Sequence, residues 1–554
     1  MRWFIGPLLL AAPLGGRAVD PVVPGAGSML QQIQPITVPA LAASETGLIL
    51  EQQDGRQLPA SPSFRVRTIQ LTGHSVFPTA TLLALVADAE GQSLTLPQLG
   101  AVVARLTDYY HRHGYALAQA IIPAQEIKDG IVVVEIIEAR FGEIRLENQS
   151  RVKKALLQDT LATLASGQAI SQPGLDHALL LLADIPGATV NAVVKPGAAY
   201  GTSDLVVGTG AGPGVSGFVV LDDYGNRYTG RPRITVTVNC NEPLHHGDVL
   251  SLSGLTSGRG INYGRLAYET LLNGEGTRVG GSYSLLNYEL GGPLVSLQAQ
   301  GTARLESLWV KHPFVRRRNF NLYGQLQYDG LQLHDHANAG AIRTDRQLDN
   351  GRISLAGDAR EALLPGGITL WRLDQTAGRV DFENDAARLA DTATARTGGG
   401  FSKWNLNLVH LQSLGVKDGL YLAFTGQWAD GNLDSSEKMI GGGPYTVRGY
   451  DMGAVSGDEG RLGTVEWRHD LGFAWHSQWQ AVAFFDRARM KLNHTVWGTG
   501  PNRATLSGAG AGLNWVGPRQ WSGKLCVAMP IGPAPVLVAN TASVRLWLEI
   551  SRGF

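Results

Sequence analysis

GGGPYTVRGYDMG, residues Gly441 to Gly453, is the stretch from which the rest of the chain can be read. Its three leading glycines free the backbone to turn sharply, and Pro444 then fixes it for one residue. A single arginine, Arg448, stands between Val447 and Gly449, with Tyr445 and Tyr450 close by. Farther along, Phe484-Phe485-Asp486-Arg487-Ala488 places an acidic residue inside a strand-like pattern. A glycine-hinged loop carrying Arg448 and a strand carrying Asp486 can supply one buried ion pair, because either charge alone is costly to bury. A surface turn with a solvated arginine is the competing reading of the same spacing.

The composition around this stretch favours strands. The chain of 554 residues contains 70 glycines, nearly twice the usual share, and only 17% charged residues against about a quarter in ordinary globular proteins. Hydrophobic content is an unremarkable 44%, and beyond the first residues no apolar run is long enough for a membrane helix. Alternation replaces it. Leu322, Gly324, Leu326 and Tyr328 interleave with Asn321, Tyr323, Gln325 and Gln327; Leu422, Phe424, Gly426 and Trp428 interleave with Tyr421, Ala423, Thr425 and Gln427. That is the period of a barrel wall with lipid outside and water inside. The residues after position 207, at about 22 per strand with its connection, predict about 16 strands, an even number as bacterial barrels require. A net charge of zero gives no basic surface for nucleic acid and no polybasic membrane anchor. The two cysteines, Cys240 and Cys526, have no metal-site spacing; they read as small apolar side chains in strands, a disulfide between them being the alternative.

Before the barrel the texture differs. Residues 1–18 carry Arg2, an apolar middle and small residues at the end, the pattern of a signal peptide. Residues 19–63 are rich in proline, alanine and glutamine and read as a linker, within which Ser28 to Ile33 can form a helical turn or two before Pro35. From Phe64 comes a strand to Thr72, helices around Leu82–Val86 and Leu99–Tyr110, a stop at Gly114, and strands Ala116–Pro123 and Ile131–Ile137 joined through Lys128-Asp129-Gly130. The order then recurs: strand Gly142–Glu147, helices Val152–Leu164 and Leu175–Leu182, strands Thr189–Lys195 and Asp204–Val207. Two copies of one β-α-α-β-β module, each of roughly 75 residues, are expected.

With those residues in view, the chain resembles a known family. Val447-Arg448-Gly449-Tyr450 is similar to the VRGY loop signature, and Phe484-x-Asp486 to its partner strand motif, of outer-membrane barrels that carry POTRA domains. Ala488 stands where that strand motif usually ends in glycine. Leu221 to Gly230 resembles the first hairpin, and Asn241 to Asp248 the first periplasmic turn, of the two-partner secretion transporters, the TpsB type that exports haemolysins and filamentous haemagglutinin. By this resemblance His245 and His246 are turn residues, and His334-Asp335-His336 reads as part of a polar external loop rather than a metal site.

The resemblance implies α+β tandem POTRA domains, residues 64–138 and 139–207, followed by a transmembrane antiparallel β-barrel, residues 208–554. It implies a pore in the bacterial outer membrane, with its POTRA domains in the periplasm, that exports an unfolded partner exoprotein bearing a two-partner secretion domain, without ATP. Arg448 on the loop is expected to bond Asp486 on the wall beside Phe484, and Glu466 and Arg468, which share a lumen-facing parity, to extend the network. A helix over residues 26–36 is expected to plug the pore. The final strand, where Val544, Leu546, Leu548 and Ile550 alternate with Ser543, Arg545, Trp547 and Glu549 and the chain closes on Phe554, resembles the signal read by the barrel assembly machinery, and outer-membrane lipids are the other expected partner. No cofactor, metal or catalytic constellation is expected: Walker, HExxH and GxSxG patterns are missing. A barrel-assembly insertase of the same superfamily is the nearest alternative; a small-molecule porin or an outer-membrane enzyme is the alternative of a different class.

Overall fold

Where the sequence alternates, the chain closes on itself. The computed structural model describes residues 23–33, 47–50, 59–533, 535–538 and 542–554; the expected signal peptide, and most of the expected linker, lie outside the described residues. A short helix, α1 (Ala26–Ile33), and a short strand, β1 (Gly47–Leu50), precede the first module.

That module comprises β2 (Phe64–Arg65), β3 (Thr68–Thr72), α2 (Thr79–Ala84), β4 (Ser93–Leu94), α3 (Leu96–Arg112), β5 (Gln119–Ile121) and β6 (Ile131–Ile137). Thr95 and Gln98 cap α3 reciprocally, a pair that satisfies two orphan donors of its first turn. Leu99, Val102, Val103, Leu106 and Tyr110 then form one face against Val132, Val134 and Ile136 of the sheet. The expected single strand Phe64–Thr72 is two strands, because the amides of Arg67 and Thr68 both turn to the carbonyl of Gly130. The expected strand Ala116–Pro123 shrinks to β5, since Tyr115 and Ala118 are still in the turn that leaves α3.

The second module follows without a linker as β7 (Arg140–Asn148), α4 (Lys154–Leu161), α5 (Gln172–Ala183), β8 (Ala188–Pro196) and β9 (Thr202–Ala211). Its sheet order is β1-β8-β9-β7, with β1 parallel to β8. The sequence Gly-Leu-Ile-Leu of β1 lies in the segment read as linker. Four residues are too few to show a period, and the strand exists by pairing with the edge that β8 offers.

Glu138 joins the two modules. Its carboxylate is almost wholly buried and accepts from Ser75 N–H at 2.6 Å, Ser75 Oγ at 2.6 Å, Val76 N–H at 2.7 Å and the Tyr110 hydroxyl at 2.9 Å, with Arg140 at 2.8 Å. Burial alone would raise this carboxyl, but the hydrogen bonds outweigh it and hold it below the ordinary glutamate range. Glu138→Gln is expected to cost about 1.5–3 kcal/mol, seen as about tenfold or greater loss of hydrogen-exchange protection in the first module. Because the folded value is depressed, this contribution is present above the unfolded glutamate value of about 4.3 and fades as pH falls through the folded one. The protection gap between the native chain and the variant should therefore close in acid; a gap that persists there contradicts the assignment.

Sixteen strands then form a closed antiparallel barrel. The first six are β10 (Val215–Asp222), β11 (Arg233–Asn241), β12 (Val249–Thr256), β13 (Ile261–Leu271), β14 (Arg278–Glu289) and β15 (Ala299–Arg316). Next come β16 (Phe320–Ala337), β17 (Ile342–Arg360), β18 (Gly367–Phe382), β19 (Gly399–Ser413) and β20 (Asp418–Ala429). A long excursion contains the small hairpin β21 (Met439–Gly441) and β22 (Val455–Gly457), and the wall resumes with β23 (Glu459–Ala474) and β24 (Ser477–Lys491). β25 (Arg503–Val516), β26 (Trp521–Pro530) and β27 (Arg545–Gly553) complete it, and β27 pairs with β10 to close the ring. The alternation sorts residues by face. Leu326 and Tyr328 point outward, as do Leu546 and Leu548, while Arg545 and Trp547, which alternate with the latter pair, are buried inside. Cys240 on β11 and Cys526 on β26 are free; β10 and β27 separate them, and three strand spacings, about 14 Å, exceed what a disulfide spans.

Candidate functional site

The excursion between β20 and β23 leaves the wall at the end of the barrel opposite the α/β modules and folds back into the lumen. β21 and β22 pair antiparallel and project Gly442–Ala454 as a tip. Gly442 and Gly443 adopt φ of +94° and +117°, which side chains other than glycine rarely tolerate. Val447 and Tyr450 are fully buried among Met439, Val455, Leu462, Ala488, Met490, Ala504 and Leu506. Ala488, the position that departs from the family's glycine, is thus a buried member of the cluster seating the tip. Gly449 has no room for a side chain: a Cβ would stand 2.9 Å from the backbone of Met529.

This seat aims Arg448 at the wall. Its Nε and Nη2 donate to the two oxygens of Asp486 at 2.9 Å each, and its own amide donates to Oδ2 at 3.1 Å. Nη1 donates to Glu466 Oε2 at 2.6 Å, and Arg468 Nε to Glu466 Oε1 at 2.8 Å. Thr464, directly opposite Asp486 in the ladder, donates its hydroxyl at 2.9 Å. The guanidinium carbon lies 3.3 Å from the ring centroid of Phe484, adding a cation–π contact to the fork. Asp486 is completely buried. The terminal strand holds the tip too, with Trp547 Nε1 donating to the Arg448 carbonyl at 2.8 Å and Arg545 paired with Asp451. The structure therefore brings Val447, Arg448, Gly449, Tyr450, Phe484, Asp486, Glu466 and Arg468 into one place.

A second grouping surrounds the helix expected over residues 26–36, of which Ala26–Ile33 lie among the described residues. Helix α1 lies in the lumen, its Ala26, Met29 and Leu30 packed on Leu286, Leu331, Leu333, Leu348, Val380 and Phe401. Asp335 Oδ1 accepts from the first helical amide, Ala26 N–H, at 2.7 Å and from the Tyr288 hydroxyl at 2.7 Å. Arg346 bonds Asp335 at 2.8 Å and Asp434 of the excursion at 2.6 Å. At the other helix end, Asn226 Nδ2 donates to Gln32 Oε1 and to the Met452 carbonyl, each at 3.2 Å. The wall, helix and excursion are thus tied by one polar relay. His334-Asp335-His336 belongs to β16 rather than to an external loop. Alternation turns Asp335 inward, while His334 bonds Asp345 at 2.9 Å on the other face, so the three cannot converge on one ion.

Residues 64–139 match the POTRA domain, ShlB-type, and residues 201–515 match the haemolysin secretion/activation protein ShlB/FhaC/HecB. The chain is 27% identical over 481 residues to the heme/hemopexin transporter protein HuxB of Haemophilus influenzae, covering 86% of this chain and 84% of that one. It is 22% identical over 477 residues to the outer membrane transporter CdiB of Escherichia coli O6:K15:H31, covering 81% and 77%. Its fold is similar to the solved structure of CdiB from Escherichia coli, with a TM-score of 0.72 at 20% identity, covering 91% and 93% of the two chains.

Proposed function

The chain belongs to the haemolysin secretion/activation family ShlB/FhaC/HecB, and from that premise we propose how its lumen network serves export. It is an outer-membrane transporter of a partner exoprotein, with its POTRA domains in the periplasm. An extended client strand adds to a POTRA sheet edge, where main-chain hydrogen bonds give affinity without demanding one sequence. It then enters the barrel from the periplasmic side once α1 has left. The ion pair of Arg448 with Asp486 and Glu466 holds the loop in the lumen, and this is the observation that carries the reading. No nucleotide enters the scheme; folding of the client outside the cell draws it forward. Lipids contact the outward apolar rows, and the strand ending in Phe554 is the segment presented to the barrel assembly machinery.

The test is secretion. The chain is expressed with the large exoprotein encoded beside it, and the medium and the heat-modifiable barrel in the outer membrane are assayed together. Client should appear outside only with the intact chain. Deleting residues 64–207 should abolish that release, and removing Phe554 should lower the amount of inserted barrel. Release that survives the deletion would refute the role given to the POTRA pair.

A further inference from the structure

The second α/β module is pressed against the periplasmic rim of the barrel at three consecutive turns. Lys153 N–H donates to the His245 carbonyl at 3.0 Å. Gly274 lies so close to α4 that a Cβ would stand 2.4 Å from the Asp159 carbonyl carbon. Leu271, at the rim end of β13, is buried in the module's own core. These contacts are apolar or made by backbone; the third turn, after β15, is different.

There the barrel ladder skips one residue, Phe314, between the pairs Pro313–Tyr323 and Val315–Leu322. A bulge of this kind shifts the alternation by one. Without it Arg316 would share the outward face of Leu308, Val310 and Phe314, all of which are exposed. With it Arg316 turns inward and is completely buried. Its Nε and Nη2 fork onto Asp184 Oδ2 and Oδ1 at 2.7 and 2.8 Å, and Nη1 donates to Asn321 Oδ1 at 3.0 Å. Asn321 in turn donates to the buried Asp358 at 3.0 Å. Two residues on, Arg318 bonds Asp176 at 2.8 Å.

Asp184 is the C-cap of α5, where the helix already presents its negative end and an acidic residue is unfavourable. A local rule is broken on the helix, and the barrel's bulge delivers the cation that compensates it. Asp176 lies two turns earlier on the same helix, so two arginines from one turn hold α5 at its C-terminal end and at its middle. We propose that Arg316 is a positioning residue for export: with Asp184 it fixes the second POTRA domain in one register beneath the pore, so that a client strand bound there faces the lumen. This rests on the export reading above.

The experiment uses the full chain, with Cys240 and Cys526 replaced and spin labels at Lys195→Cys on β8 and at Val416→Cys, a fully exposed position on a far turn. The distance between labels is measured in parallel with export. The unsubstituted register should give one narrow distribution. Arg316→Ala and Asp184→Asn should each broaden it at least twofold and lower export at least tenfold with inserted barrel unchanged. Arg316→Lys should keep part of both. A distribution that stays narrow, or export at the native level in either single variant, overturns the proposal. If Arg316→Ala fails to insert, Asp184→Asn decides, because it leaves the barrel sequence intact. If the native chain exports nothing, the export reading fails while the distances still decide whether the clamp exists.

Discussion

Arg448→Ala leaves a folded, heat-resistant barrel in the outer membrane and no exoprotein in the medium: that is the first expected result. The substitution strips Asp486, which has no solvent access, and Glu466, which has little, of their shared cation. Breaking a buried pair from one side costs about 3–5 kcal/mol, enough to shift a loop equilibrium by about a hundredfold or more. The cost falls on the seat of the tip rather than on the wall, because the ladder between β23 and β24 is backbone-bonded throughout the site. Arg448→Lys should fall between the two, since a lysine keeps the charge but cannot fork onto both oxygens. Immunoblotting of the medium, set beside the mobility of heated and unheated barrel, reads both halves of the result. Native export from the alanine variant would show that the loop's seat has no part in transport.

The second large effect is expected in conductance. Deleting residues 26–33 should raise the current through single barrels in planar bilayers several-fold, and make cells sensitive to solutes normally too large to enter. Eight residues are too few for a helix that is stable alone, so α1 persists only through its packing and its relay. Asp335→Ala should give part of the same effect. It removes the oxygen that caps Ala26 N–H and leaves Arg346 with Asp434 as its one remaining carboxylate partner, beside the Ser435 hydroxyl. Gly27→Leu should act by bulk, because even a Cβ there would stand 2.7 Å from the Ser436 amide nitrogen. Bilayer currents identical to those of the native chain in the deletion would exclude a plugging role for α1.

How far these sites could be read in advance depended on whether they lie along one strand or across several. Glu466, Arg468 and Asp486 sit on adjacent strands with period-2 spacing, so a common face was legible from letters alone. The number of strands followed from length and turn spacing, and the two modules from the repeated order of their elements. Asp335 and Arg346 are neighbours across the β16–β17 hairpin, but they meet Asp434 and the first amide of α1 only when the excursion and the helix enter the lumen, and no linear signal marks that meeting; Asp335 stood out only as the residue between two histidines. The pairing of β1 with β8 was hidden for a different reason, since it depends on an edge far away in sequence. The bulge has one local sign, Pro313 immediately before the skipped Phe314, because a proline inside a strand is confined to edges, strand starts and bulges; the letters do not say which residue is skipped or which way Arg316 then turns.

That skipped residue has a consequence for how the chain can change over time. Across most of the wall, a substitution is judged by the side chain it brings. At Phe314 the information lies in the count of residues rather than in their kind. Many apolar side chains could stand there, but losing the position would turn Arg316 toward lipid and leave the acidic end of α5 uncompensated. Descendants of this gene should therefore vary freely in spelling at this point and be held to a fixed length through it.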